Sequence, residues 1–206
     1  ASAMRIDGLS RIAGQFDAML IDQFGVIHDG QRLYPGTLHV LKQLEDRGIP
    51  VVVMTNSGKR AAANVTRLMK MGVPRECFID AVSSGEVAYR SLTAKRAFLI
   101  GKRGEDYGFD GIAFTSPEDA EIILILGSNA PDTSMDDYRA LLSGLRLPAI
   151  CCNPDKLMLT PSGLQPAPGA IAALYEELGG QVTWIGKPHP EIYHHAARRL
   201  GNPQRI

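Results

Sequence analysis

Cysteine is scarce in this chain. The three present, Cys77, Cys151 and Cys152, are odd in number, and none stands in a Cys-x-x-Cys pair. That argues against a disulfide framework and against a zinc site, and it fits a reducing compartment, so a cytoplasmic location is expected. Vicinal Cys151 and Cys152 end an apolar run, where cysteine ordinarily packs as a small buried hydrophobe. Long hydrophobic runs are missing as well. Stretches such as 122–126 are strand-sized, far from the roughly 20 residues that span a bilayer, so no membrane partner is expected. Residues 1–5 lack the basic-then-apolar order of a secretory leader. Neither sign of charge is in excess: Lys plus Arg and Asp plus Glu number 22 each, which leaves no global field to recruit nucleic acid. Internal repeats and low-complexity tracts are absent too.

What the chain does have is enough apolar sequence for a core. Of its 206 residues, 45% are apolar and 21% charged, which suits one domain or two small ones. Residues 16–22 form a short apolar run ending in Asp22 and followed by the turn signal Asp29-Gly30, which predicts a buried strand entering a loop. Leu38, Leu41 and Leu44 share a helical face closed by Gly48. Residues 50–55, Pro-Val-Val-Val-Met-Thr, predict a second strand, and Val65, Leu68, Met69 and Met71 mark a helix ending near Gly72. Such alternation favours an α/β fold with parallel strands, whose ligands sit beyond the carboxyl ends of the strands. Asp22 and Thr55 both occupy such ends.

From about Asp80 the pattern restarts. A helical stretch at 87–92, strands at 97–100, 122–126 and 148–152, and a helix at 135–145 predict a second small α/β unit. Residues 161–168 read as a Pro- and Gly-bearing connection, and 170–178 as a helix stopped by Gly179-Gly180. The chain is then expected to return through 182–185 into Gly186-Lys187-Pro188. The helix bearing His194 and His195 places Ile192, Ala196 and Leu200 on one face, so these histidines are expected on the surface or in packing rather than as ligands.

An Asp at a strand end, a Thr at the next strand end and a later Lys in a Gly-Lys-Pro turn can make one phosphate site. A carboxylate can attack phosphorus to give an aspartyl-phosphate. The Thr55 hydroxyl and the loop amides of Asn56, Ser57 and Gly58 can donate to phosphoryl oxygens, and Lys187 can offset charge. Mg2+ normally completes such a site.

These stretches resemble the haloacid dehalogenase superfamily. Leu20-Ile-Asp22-Gln-Phe24-Gly25-Val26 stands as motif I, Val53-Met-Thr55-Asn56-Ser57 as motif II and Gly186-Lys187-Pro188 as motif III. Tyr34-Pro35-Gly36, Asn153-Pro154-Asp155, Pro168-Gly169-Ala170 and His189-Pro190-Glu191 point to its class IIA branch. The resemblance implies a Rossmann-like parallel-sheet core with an inserted C2-type cap. Asp22 and Thr55 stand 33 positions apart, and Thr55 and Lys187 stand 132 apart, so the insertion falls between motifs II and III. The expected division is core 1–81, cap 82–180 and core return 181–206. The resemblance also implies catalytic roles for Asp22, Thr55 and Lys187, and a small phosphorylated substrate. Magnesium would be held by the Asp22 carboxylate and the Phe24 carbonyl. Asn153 and Asp155 match a cap loop that faces the site, with a simple Asx turn around Pro154 the equal alternative. A second copy of the chain is a candidate partner.

Two departures from the pattern stand out. The acid-base Asp two residues after the nucleophile is Phe24 here. His28 and Asp29 are the loop groups that could supply its proton, against the plainer reading of a solvated turn. Motif IV, an acidic loop on a further core strand, is expected beyond Ile206, so the core is expected to be incomplete in this chain. A phospho-receiver module is disfavoured by the lack of an acidic pair before Asp22 and by the long gap to Lys187. A non-catalytic binder of phosphorylated ligands remains a second reading.

Overall fold

The computed structural model describes residues 7–206; residues 1–5, read above as lacking the order of a secretory leader, lie outside them. The two apolar runs form β1 (Met19–Asp22) and, after α1 (Thr37–Asp46), β2 (Val51–Thr55). Next come α2 (Ala61–Lys70) and β3 (Asp80–Ser83). The three strands are parallel in the order β1-β2-β3, with Asp22 opposite Met54 and Thr55 opposite Ser83. All five residues of β2 are buried, as expected of a central parallel strand covered on both faces. On one face α1 and α2 contribute Leu41, Leu44 and Leu68 to a cluster with Ile27, Val51 and Val53. On the other, Ile192 and Ala196 of a later helix pack on Val52, Met54 and Val82.

The chain continues with α3 (Ser84–Ser91), β4 (Arg96–Ile100), β5 (Ala113–Phe114), β6 (Ile122–Ile125), α4 (Met135–Leu142) and β7 (Ala149–Cys151). It then forms β8 (Leu157–Thr160), β9 (Gly163–Pro166), α5 (Pro168–Glu177), β10 (Val182–Trp184) and α6 (Pro190–Arg199). Helix α3 begins three residues before the expected 87–92, because Ser83 caps it, its Oγ accepting the Glu86 N–H at 3.0 Å. A second parallel sheet runs in the order β10-β7-β6-β4-β5. Among the described residues no helix is long and apolar enough to cross a membrane.

Three details differ from the sequence reading. The expected connection at 161–168 holds β9, which pairs antiparallel with β8 across a turn at Pro161 and Ser162. The alternation of Leu157 and Leu159 was the available signal. Strand β10, expected to rejoin the first sheet, pairs with β7 in the second, while α6 and Leu200 after it pack on the first sheet. Val82 and Ser83, at the start of the expected insertion, lie in β3 of the first sheet. The cysteines are all buried. Burial pushes the Cys151 thiol up to about 12 and raises the Cys152 thiol well above its ordinary value, so both are inert packing groups.

The two sheets meet at the loop that follows β2. A β-carbon on Gly58 would lie 2.1 Å from the Leu126 carbonyl oxygen, so the loop after β2 presses directly on the end of β6. Lys59 forms an ion pair with Glu105, and Arg60 pairs with Glu86 at 2.7 Å while lying over the Tyr89 ring.

Candidate active site

Asp22 is the last residue of β1, and its Oδ1 accepts the Gln23 N–H at 2.9 Å. The same oxygen is ion-paired with Lys187 Nζ. Both side chains are partly open to solvent, so a ligand can reach them. Thr55 ends the neighbouring strand, buried, with its Oγ1 accepting the Ser57 N–H at 3.2 Å. Asp22 lies opposite Met54, the residue before Thr55, so the two strand ends are adjacent. The structure thus joins Asp22 and Lys187 directly and sets Thr55 beside them.

Lys187 reaches this place in a way its motif did not indicate. It follows β10 of the second sheet, and a side chain from the first sheet fixes it. Asn56 Nδ2 donates to the Lys187 carbonyl at 3.1 Å, and the Lys187 N–H donates to Asn56 Oδ1 at 2.7 Å. The side chain of Asn56 therefore holds the lysine's backbone. Gly186 makes the approach feasible. Its φ is +109°, and a β-carbon there would lie 2.7 Å from Ser84 Oγ, 2.9 Å from Asn56 Oδ1 and 3.0 Å from the Cys152 carbonyl oxygen, so only glycine fits. Ser84, which the sequence reading missed, also lies 3.4 Å from the Thr55 carbonyl through its Oγ; no local pattern marked it.

The remaining expected ligands are engaged in structure. Ser57 Oγ accepts the Lys59 N–H at 3.1 Å, and its carbonyl accepts the Gly85 N–H at 3.0 Å. Asn153 Oδ1 accepts the Asp155 N–H at 3.0 Å, which is the Asx turn of the alternative reading. Neither Asn153 nor Asp155 bonds to Asp22, Thr55 or Lys187. Their turn begins just after Cys152, whose carbonyl faces Gly186, so they lie beside the site.

Phe24 is 53% exposed, with its ring edge-on to His28 at 6.0 Å. The two candidate proton donors are both unsuited. Asp29 caps a turn by accepting the Gln31 and Arg32 N–H groups, each at 2.8 Å. These amides, that of Arg32 foremost, hold its carboxyl below the usual carboxylate range, so it stays ionised. His28 is fully buried and its Nδ1 accepts the Gly30 N–H at 2.9 Å. Burial first, and then the charge of Arg67, push its pKa down against the opposing pull of Asp29 and Asp22, so the ring is neutral. His28 Nε2 and both side-chain amide atoms of Gln23 are buried without a protein partner.

Asp22 and the Phe24 carbonyl are the oxygens that motif I offers a cation. Among the described residues no three His, Cys, Asp or Glu side chains cluster as a metal site. A magnesium ion fits here only with substrate oxygens and water completing its shell.

The family model for haloacid dehalogenase-like hydrolases matches residues 19–115, from β1 into the second sheet. The chain is 25% identical over 190 residues to the dihydroxyacetone phosphatase of Corynebacterium glutamicum (strain R), covering 88% of this chain and 68% of that protein. A haloacid dehalogenase-like hydrolase from Brucella suis 1330 superposes with a TM-score of 0.82 at 29% identity, over 93% of this chain and 74% of that one. The p-nitrophenyl phosphatase of Archaeoglobus fulgidus superposes at 0.66 with 26% identity, over 90% and 74%. With Asp22, Thr55 and Lys187 gathered where the two sheets meet, this chain is similar to the haloacid dehalogenase-like hydrolases, in sequence over residues 19–115 and in fold along most of its length.

Proposed function

We propose that the chain is a phosphohydrolase for small phosphate monoesters, with Asp22 as its nucleophile. The observation that carries this reading is the contact of Lys187 Nζ with Asp22 Oδ1 at the end of β1, with Thr55 on the next strand end. An Asp22 oxygen would attack phosphorus as the bond to the leaving oxygen breaks, and that oxygen would take a proton. Water would then cleave the aspartyl-phosphate, releasing inorganic phosphate and restoring the carboxylate. Lys187 would balance charge on the nucleophile and the phosphoryl group, and Thr55 Oγ1 would donate to a phosphoryl oxygen. Magnesium, held by Asp22 and the Phe24 carbonyl, would neutralise phosphoryl charge. The second sheet would serve as the cap that selects the leaving group. The names of the relatives support a small, singly phosphorylated substrate, and a cytoplasmic location follows from the cysteine usage.

The test is release of inorganic phosphate from p-nitrophenyl phosphate and from small sugar and polyol phosphates, with and without magnesium. Asp22→Asn should abolish release; retained turnover would exclude the aspartyl-phosphate route. Phe24 favours a second reading, a protein that binds such esters and turns them over poorly. Calorimetric binding of a monoester that is not hydrolysed would select it.

A further inference from the structure

An exposed aromatic ring stands beside Asp22. The Gln23 N–H donates to the Met54 carbonyl at 3.1 Å, so the chain stays extended one residue past the end of β1. Side chains alternate along an extended chain, and exposure follows that period here. The Asp22 side chain is 45% exposed, Gln23 2% and Phe24 53%. Asp22 and Phe24 therefore project to the same side, about 7 Å apart along the chain, while Gln23 points to the other. The alcohol of a phosphate monoester seated on Asp22 lies within reach of that ring. The ring is also held in place. A β-carbon on Gly30 would lie 3.0 Å from Phe24 Cε2, so the ring rests on that glycine, and it meets the His28 ring at 84°. Gly30 is itself fixed by its N–H, which donates to His28 Nδ1 at 2.9 Å, and the Gly25 N–H closes the loop on the His28 carbonyl at 2.8 Å. Buried, neutral His28 thus builds a shelf beneath Phe24 and leaves the rest of the ring open to solvent.

We propose that the Phe24 ring is the platform on which the leaving group stacks, so that the substrates are phosphate monoesters of alcohols with an uncharged apolar or aromatic face. The proposal rests on the reading of Asp22 as the nucleophile and adds the substrate class to it. Position selects the occupant, because the ring and the carboxylate project together. Charge narrows it further: residues 23–31 hold no Lys or Arg, and Asp29 is their one ionised side chain. A second anionic group on the leaving alcohol finds no cation on this loop and is repelled by Asp29. A flat apolar group finds a ring already fixed in one attitude, so little ordering is needed before the two stack. Covering about 50 Å² of apolar surface in this way is worth about tenfold in affinity.

The experiment compares phenylphosphonate with methylphosphonate, which carry the charged group of a monoester but no ester bond to break. Calorimetry in magnesium buffer should show phenylphosphonate binding the unmodified chain about tenfold more tightly. Phe24→Ala should bring the ratio of the two affinities close to one, and Phe24→Tyr, which keeps the ring, should retain it. Equal affinities in the unmodified chain overturn the proposal, as does a preference that survives Phe24→Ala, or no binding of either compound. Phosphate release from phenyl phosphate, measured alongside, separates this proposal from the reading beneath it. A preference for the phenyl compound without release refutes the phosphohydrolase and keeps Phe24 as a binding platform, whereas release without the preference refutes the platform alone. Should Phe24→Ala fail to fold, NMR of the unmodified chain decides: phenylphosphonate should shift the Phe24 ring protons where methylphosphonate does not, and an unmoved ring refutes the stacking.

Discussion

Removing the Asn56 side chain isolates the device that carries Lys187 to the nucleophile. Asn56→Ala deletes two hydrogen bonds to the lysine's backbone, of 3.1 and 2.7 Å. Bonds of this kind contribute about 1 kcal/mol each, so the loop carrying Lys187 loses roughly 2 kcal/mol of positioning energy. If that positioning is fully used at the transition state, kcat/KM should fall by roughly 30-fold, since about 1.4 kcal/mol is tenfold in rate. Global stability should change less, because Asn56 and the Lys187 loop are not fully buried and water can replace the lost partners. Two measurements check this together: phosphate release from p-nitrophenyl phosphate, and hydrogen exchange at the Lys187 amide, whose N–H points at Asn56 Oδ1. Exchange should accelerate in step with the loss of activity. An Asn56→Ala protein that keeps both the protected amide and the original kcat/KM would refute the clamp. Faster exchange with unchanged kcat/KM would show that Lys187 finds its place without it.

Other outcomes follow from the same geometry. Gly58→Ala sets a β-carbon 2.1 Å from the Leu126 carbonyl oxygen and should destabilise the protein by about 3 kcal/mol, read from urea unfolding; an unchanged midpoint would mean that the seam between the sheets yields freely. Phe24→Asp should raise turnover of alkyl phosphates more than aryl phosphates, up to about 100-fold, because only poor leaving groups need the added proton donor. Equal effects on both classes would place proton delivery elsewhere. Burial lowers the pKa of both His28 and His195 in the folded protein. Their contribution to stability is therefore complete above the unfolded value of about 6.5 and is lost as pH falls from there toward the folded values, by up to about 1.4 kcal/mol per pH unit for each. Urea midpoints at successive pH values should show that decline, and His195→Gln should reduce it; a flat profile between pH 7 and 5 would contradict the buried neutral assignment.

The sequence by itself marked most of the elements and named Asp22, Thr55 and Lys187 as candidates. Period-two and period-3.6 patterns are local, so the strands ending at Asp22 and Thr55 and the helices burying Leu41, Leu44 and Leu68 were legible before any contact was known. The order strand, helix, strand, helix then left little choice but parallel pairing, which put both strand ends on one edge. Tertiary structure decided what local pattern cannot encode. Nothing within 182–184 says that β10 pairs with β7 rather than with the first sheet, because strand partners are chosen by long-range packing. Asn56 was legible only as a loop amide; that its side chain clamps Lys187, 131 positions away, is a tertiary fact. His28 read as a loop group that could give a proton until burial made it neutral and bound its Nδ1 to Gly30. The close contacts that require glycine at 58 and 186 likewise arise where the second sheet meets the first, at the Leu126 carbonyl for Gly58 and at the Ser84 and Asn56 side chains for Gly186, all far away along the chain.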